Sequence, residues 1–202
     1  MRPAALAFAA AVALLNLAVL LAAGYARVAT TRLDTPAAAT SPIAAHLAGT
    51  LQPWSAEHAA LEGWARAEAG DAGGAEAAYR RALRWAPADP QLWADYALAL
   101  ARLGRFDDAM LDALTHAHTL GPTSGAVRHA LADLGLSYWR RGTPELQALW
   151  LEGMRPELAA GRVKFLERVI ARGQGQAFCE GPAHALGEDG WCATIEPFLR
   201  HP

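Results

Sequence analysis

Gly70-Asp71-Ala72-Gly73-Gly74-Ala75-Glu76-Ala77-Ala78-Tyr79-Arg80-Arg81-Ala82-Leu83-Arg84-Trp85-Ala86-Pro87 is the stretch that decides the fold. A glycine that frees the backbone for a turn precedes a run with one apolar face, and the run closes on a proline, which cannot continue a helix. Within it Ala75, Tyr79, Ala82 and Pro87 stand at spacings of 4, 3 and 5. The alanines let two helix backbones approach closely, and Tyr79 fills the gap beside them. The stretch therefore specifies a helix made to stack on other helices. It names no partner.

These residues resemble the second half of a tetratricopeptide repeat, a helix-turn-helix unit of about 34 residues with a turn glycine, small residues where helices touch, an aromatic between them and a closing proline. Counting from Pro87 sets a first repeat at 56–89, with Gly63 at a close contact and Gly70 at the turn; its first helix has Ala59 and Arg66 where an aromatic is usual. A second repeat, 90–123, has Trp93 in its first helix, Gly104 at the turn and Ala109 at the small position, followed by Ala117 and Pro122 one residue late. That slip predicts a bulge or a shifted turn in its second helix. A third, degenerate repeat at 128–156 carries the family's Leu-Gly-x-x-Tyr core in Leu134, Gly135 and Tyr138, with Gly142 at its turn. Its second half, Pro144 to Met154, loses the small-aromatic-small pattern, as expected near the end of an array.

The resemblance implies an all-α fold, a short solenoid of about three helix pairs. It also implies a binding scaffold rather than an enzyme, with a protein partner on the concave face lined by the first helix of each repeat. The positions it points to are Glu57, Ala60, Trp64, Ala67 and Glu68; Gln91, Ala94, Leu98, Ala101 and Arg102; and His129, Ala132, Leu136, Trp139 and Arg140. The Lys and Asn residues that clamp a terminal carboxylate in chaperone-binding members are missing, so that ligand is not expected. Trp64 and Trp139 offer flat apolar area, while Glu68, Arg102 and Arg140 can orient a segment carrying both charges. The opposing reading makes Trp64 and Trp139 core residues covered by neighbouring helices.

Composition agrees with close-packed helices. Of 202 residues, 53% are hydrophobic, much of it Ala, and no stretch alternates apolar with polar at period two. Eighteen basic residues against 20 acidic ones argue against a nucleic-acid partner.

The N-terminal quarter reads differently. Residues 4–24 carry no charge, and a helix of that length spans about 31 Å, close to the thickness of a bilayer core. We read 1–26 as a transmembrane anchor, with a lipid bilayer as partner of residues 4–24. A cleaved signal peptide is the rival reading, because Gly24-Tyr25-Ala26 and Ala37-Ala38-Ala39 both offer small residues at cleavage spacing. Arg2 on one side nearly balances Arg27 and Arg32 on the other, so charge barely sets topology. The short leading tail and the late cysteines favour a cytoplasmic N-terminus. Residues 27–55, rich in Ala, Thr, Ser and Pro, read as a tether.

Residues 157–202 are expected to cap the array. Val163, Leu166, Val169 and Ile170 form one apolar stripe on a helix from Arg162 to Arg172. Behind it Cys179 and Cys192 are the chain's two cysteines, set in a Gly-rich tail. They suit a disulfide in an oxidising compartment; free thiols are the alternative, and a metal would need two more ligands, with His184 and His201 the only imidazoles nearby.

No catalytic residue, cofactor site or metal site is expected. His116 and His118 are two apart on a helix, which points them about 200° from each other, and Asp107-Asp108 at a helix start are ordinary partners of the helix dipole. The combined reading is a single-pass bacterial inner-membrane protein whose periplasmic repeats bind a partner and help assemble an envelope complex. It resembles membrane-tethered repeat proteins of cytochrome c maturation, translocon-associated chaperoning, or exopolysaccharide synthesis and export. The alternatives are a small structural subunit permanently buried in a large membrane complex and, third, an enzyme.

Overall fold

The computed structural model describes residues 54–199. The membrane segment expected over 1–26 and the tether up to residue 53 lie outside the described residues. Among those described, every regular element is helical, and no helix is long and apolar enough to cross a membrane. The chain divides into two compact units, Met1–Pro87 and Ala88–Pro202.

In the first unit, α1 (Ala56–Glu68) and α2 (Ala72–Trp85) form an antiparallel hairpin. Each begins on a side-chain cap: the Ser55 hydroxyl accepts from the His58 N–H at 3.3 Å, and the Asp71 carboxylate accepts from the Gly74 N–H at 2.9 Å. Gly70, at φ +75°, supplies the left-handed residue that the tight turn needs. Gly63 lies so close to the Tyr79 ring that a Cβ there would sit 2.6 Å from a ring carbon. Ala75, Tyr79 and Ala82 are all buried, so the small-aromatic-small spacing of the opening stretch is the packing surface of this hairpin. A polar clasp reinforces it. Glu62, only 4% exposed, accepts from Arg66 Nε at 3.0 Å and pairs with Arg81 of α2, so the buried carboxylate is compensated from both helices.

The second unit contains α3 (Pro90–Arg102), α4 (Asp108–Leu120), α5 (Gly125–Tyr138), a single 3-10 turn at Trp139–Arg141, α6 (Pro144–Ala171), α7 (Gly175–Cys179), α8 (Pro182–Leu186) and α9 (Asp189–Leu199). Asp89, Asp107, Ser124 and Thr143 cap α3 to α6, and prolines stand in the first turns of α3 and α6, where no N–H is needed. Helix α3 packs on α4 and α5, and α5 packs on α6.

The slip in the second repeat is a shifted turn. Met110, Leu114 and Ala117, each 0% exposed, reproduce the spacing of 4 and 3 in α4, while Ala109 is only half-buried. The extra residue is absorbed between Gly104 and the Asp107 cap. There Phe106 packs on Tyr138 at 5.1 Å between ring centroids, and Arg141 covers it at 4.5 Å. The repeat-like pair α5 and α6, where a third repeat is expected, keeps the same spacing one residue early. Leu146, Trp150 and Gly153 are buried in α6, with Trp150 filling the aromatic position and Gly153 the small one. Counting from the first helix alone hides this pattern.

The expected capping helix is the second half of α6, beyond a break at Gly161, whose φ of −174° and ψ of 77° are not helical. Its buried face is Phe165, Leu166 and Val169, whereas Val163 and Ile170 are 66% and 51% exposed. The apolar stripe expected from sequence is thus rotated toward Phe165. The reason is aromatic packing: Phe165 meets Phe178 of α7 edge-on at 6.0 Å, and Phe178 in turn meets Trp191 of α9 at 5.7 Å. Cys179 and Cys192 form the expected disulfide, which joins α7 to α9.

Candidate partner-binding face

Helical periodicity places the nominated residues of each repeat along one side of its first helix, except that Trp139 and Arg140 fall in the 3-10 turn after α5, and burial sorts them. On α1, Glu57 and Glu68 are exposed, Ala60 and Trp64 half-buried and Ala67 buried. On α3, Gln91 and Arg102 are exposed, Leu98 is half-buried, and Ala94 and Ala101 are buried. Each helix therefore offers polar ends around an apolar or aromatic middle.

On α5 the arrangement differs, because the chain's own C-terminal part lies against that side. His129 Nε2 is 2.9 Å from Glu157 Oε1. One turn on, Asp133 pairs with Arg172. Another turn on, Ser137 Oγ accepts from Gln174 Nε2 at 2.9 Å, and Arg140 donates to Glu180. Trp139 is half-buried, 6.4 Å from the Trp150 ring and packed on its other flank by Gly181, where a Cβ would lie 2.7 Å from an indole carbon. Ala132 and Leu136 are 2% and 1% exposed. Beside Leu136 and Trp139 a shallow pocket of about 300 Å³ opens between α5 and α7, with Arg140, Gln176 and Glu180 at its edge.

The α1–α2 hairpin, with its left-handed turn at Gly70 and its buried seam of Ala75, Tyr79 and Ala82, is the kind of helix pair that a tetratricopeptide repeat requires, and the family model for the tetratricopeptide repeat matches residues 66–111. Residues 66–111 are a tetratricopeptide repeat. The matched span runs from the end of α1 through α2 and α3 into the first turn of α4. No curated protein and no solved structure matches the chain.

Repeat helices carry polar residues outside the nominated positions as well. In α4, His116 stacks on Trp93 at 4.3 Å and its Nδ1 is 2.9 Å from the Asp112 carbonyl, while His118 is half-buried on a different face. Among the described residues, no group of three or more His, Cys, Asp or Glu is placed to hold a metal ion.

The counting of positions passed over Asp95 in the middle of α3. Burial, and after it the neighbouring Asp89 carboxylate, pushes its carboxyl pKa up from 3.8 to about 6. A folded-state value above the unfolded one means that the folded state holds this proton more tightly. The group therefore adds no penalty at low pH, and it destabilises increasingly as pH rises from about 4 through 6. Asp95→Asn should accordingly raise stability at pH 7 by roughly 1–2 kcal/mol, allowing for partial solvent screening, and the gain should shrink toward zero below about pH 4. Urea titrations of both chains at the two pH values measure it. A gain that is the same at both would show that Asp95 is not the titrating group.

Proposed function

We propose that the chain is a non-catalytic scaffold that binds a protein partner through the first helices of its repeats, with residues of α1 and residues of α3 among the contact positions. The observation that carries this reading is the tetratricopeptide repeat at 66–111, which contains Glu68, Gln91, Leu98 and Arg102 and is preceded on α1 by Glu57 and Trp64. Aromatic and Arg side chains at such positions are those whose truncation most often weakens binding strongly.

A finer proposal places the repeats on the extracytoplasmic side of a bacterial inner membrane, held there by residues 4–24, as part of an envelope assembly such as those of cytochrome c maturation, translocon-associated chaperoning or exopolysaccharide export. The uncharged run at 4–24 supports the anchor. The Cys179–Cys192 disulfide supports an oxidising compartment.

The test is a pull-down from native membranes with the full chain. Trp64→Ala and Arg102→Glu, each read in chains that keep the wild-type melting temperature, should reduce recovery of the principal partner by roughly tenfold or more. If both folded variants recover the same partners in the same amounts, the first-helix faces are not the binding surface. A second reading, permanent burial as a small subunit of a large complex, draws on Trp54 and Trp85, which are 54% and 57% exposed. In that case the same subunits should co-purify in fixed ratio with every variant.

A further inference from the structure

We propose that the chain from Arg172 onward is a disulfide-controlled latch over the first-helix face of the third repeat: oxidised, it closes that face, and reduction of Cys179–Cys192 opens it. The latch itself is a physical property of the chain; its role in gating a partner rests on the reading that first-helix faces bind one.

The closed state is built from contacts that succeed one another along α5. Arg172 reaches Asp133, Gln174 reaches Ser137, Glu180 reaches Arg140, and Gly181 seats against Trp139. Leu136, which lines the seam between α5 and α7 together with Gly173, Gln176 and Glu180, is 1% exposed. The ion pairs do not hold the tail by themselves. Arg140 is 74% exposed and Glu180 39%, and pairs in such high-dielectric surroundings contribute little.

What keeps α7 and the chain behind it in place is the small aromatic core of Phe165, Phe178 and Trp191, the cross-link beside that core, and the pair that Arg162 of α6 makes with the buried Glu188 at 2.6 Å. Helices α7 and α8 have five residues each and begin without a side-chain cap, too short to persist without tertiary support. Trp191, which closes the outer side of Phe178, lies on α9, and α9 packs only on these two short helices among its main contacts. A module this small does not build a sufficient core unaided and relies on a staple. The disulfide fastens Cys192 beside Trp191 to Cys179 beside Phe178, so it ties the two flanks of that core together.

The switching step needs a dithiol reductant. A thiolate of the dithiol attacks one sulfur of the Cys179–Cys192 bond, the bond breaks, and the other cysteine leaves as a thiolate that takes up a proton. The second thiol of the dithiol then displaces the first cysteine from the mixed disulfide. Two electrons and two protons pass to the chain, and the dithiol leaves as a cyclic disulfide. Freed of the closed loop, the segment regains chain entropy that corresponds to on the order of a hundredfold shift toward the open state.

Hydroxyl-radical footprinting of the full chain, oxidised and after treatment with a dithiol, tests this directly. Side-chain labelling of Leu136, Trp139 and Phe178 should rise at least fivefold on reduction, while Trp150, which is 0% exposed and lies beneath α5, should stay protected. A Cys179→Ser/Cys192→Ser chain should label like the reduced one. Unchanged labelling of Leu136 and Trp139 on reduction overturns the latch, and so does parallel labelling of Trp150, which would mark general unfolding. Neither outcome touches binding through Trp64 and Arg102. Conversely, an open footprint in a chain whose groove variants retain every partner would uphold the latch and remove its role in partner access.

Discussion

Trp150→Ala should destabilise the unit Ala88–Pro202 by about 3–5 kcal/mol, the range for emptying a large aromatic site that cannot collapse. Trp150 is 0% exposed and sits at the aromatic position of α6. Gly135 of α5 presses on its Cβ, where an added Cβ would lie 2.8 Å away, and Gly142 lies against the far edge of its indole. The two glycines exist beside this ring because no side chain fits there, so neither can move in to fill the space that alanine leaves. In a chain of this size the loss should appear as a fall of about 6–20 °C in the melting temperature of that unit. Trp150→Phe should recover a substantial part, because it keeps most of the volume. A loss below about 1 kcal/mol for the alanine variant would mean that the region repacks and that the close contacts of Gly135 and Gly142 do not constrain it.

Gly153→Leu attacks the same helix pair from the other side. A Cβ at residue 153 would stand 2.7 Å from the Arg128 carbonyl oxygen and 2.9 Å from the Ala132 nitrogen, both backbone atoms of α5. A flexible side chain could swing aside, but a helix backbone gives way only as a whole. The cost should therefore fall at the upper end of the roughly 1–3 kcal/mol typical of overpacking, or above it, and α5 should be pushed off α6. Gly153→Ala should show the same sign with a smaller size. Denaturant melts of both variants measure this, and an unchanged midpoint for the leucine variant would place the α5–α6 seam elsewhere.

These two residues also mark where the third repeat departs from its expected register. Its second helix was expected to lack the small-aromatic-small pattern, yet Leu146, Trp150 and Gly153 carry an aromatic and a small residue at the usual spacing. The 3-10 turn at Trp139–Arg141 and the Gly142 turn shift the helix by one residue relative to a count made from α5. A fixed-period count cannot follow a change in turn length, because the turn is set by packing at both of its ends.

The latch makes the α5 face available conditionally. Trp139 is held between Trp150 and Gly181, so in the closed state it behaves as a packed residue, in line with the opposing reading of its role.

The amino-acid sequence by itself determined the features that are local. Gly70, the Asp71 and Asp89 caps, the burial of Ala75, Tyr79 and Ala82, and the contact of Gly63 with Tyr79 follow from periods of 3 and 4 residues within a single helix pair. The disulfide was legible for a different reason, since two cysteines close in sequence have only each other to pair with. Tertiary structure alone decided that the tail lies along α5. Its fastenings join residues 37 to 40 positions apart, Ser137 with Gln174, Asp133 with Arg172 and Arg140 with Glu180, and each is an ordinary surface residue in sequence. No periodicity encodes such pairs. They form because the break at Gly161 and the aromatic contacts of Phe165, Phe178 and Trp191 turn the chain back first, and the polar groups then meet the partners that this path brings within reach.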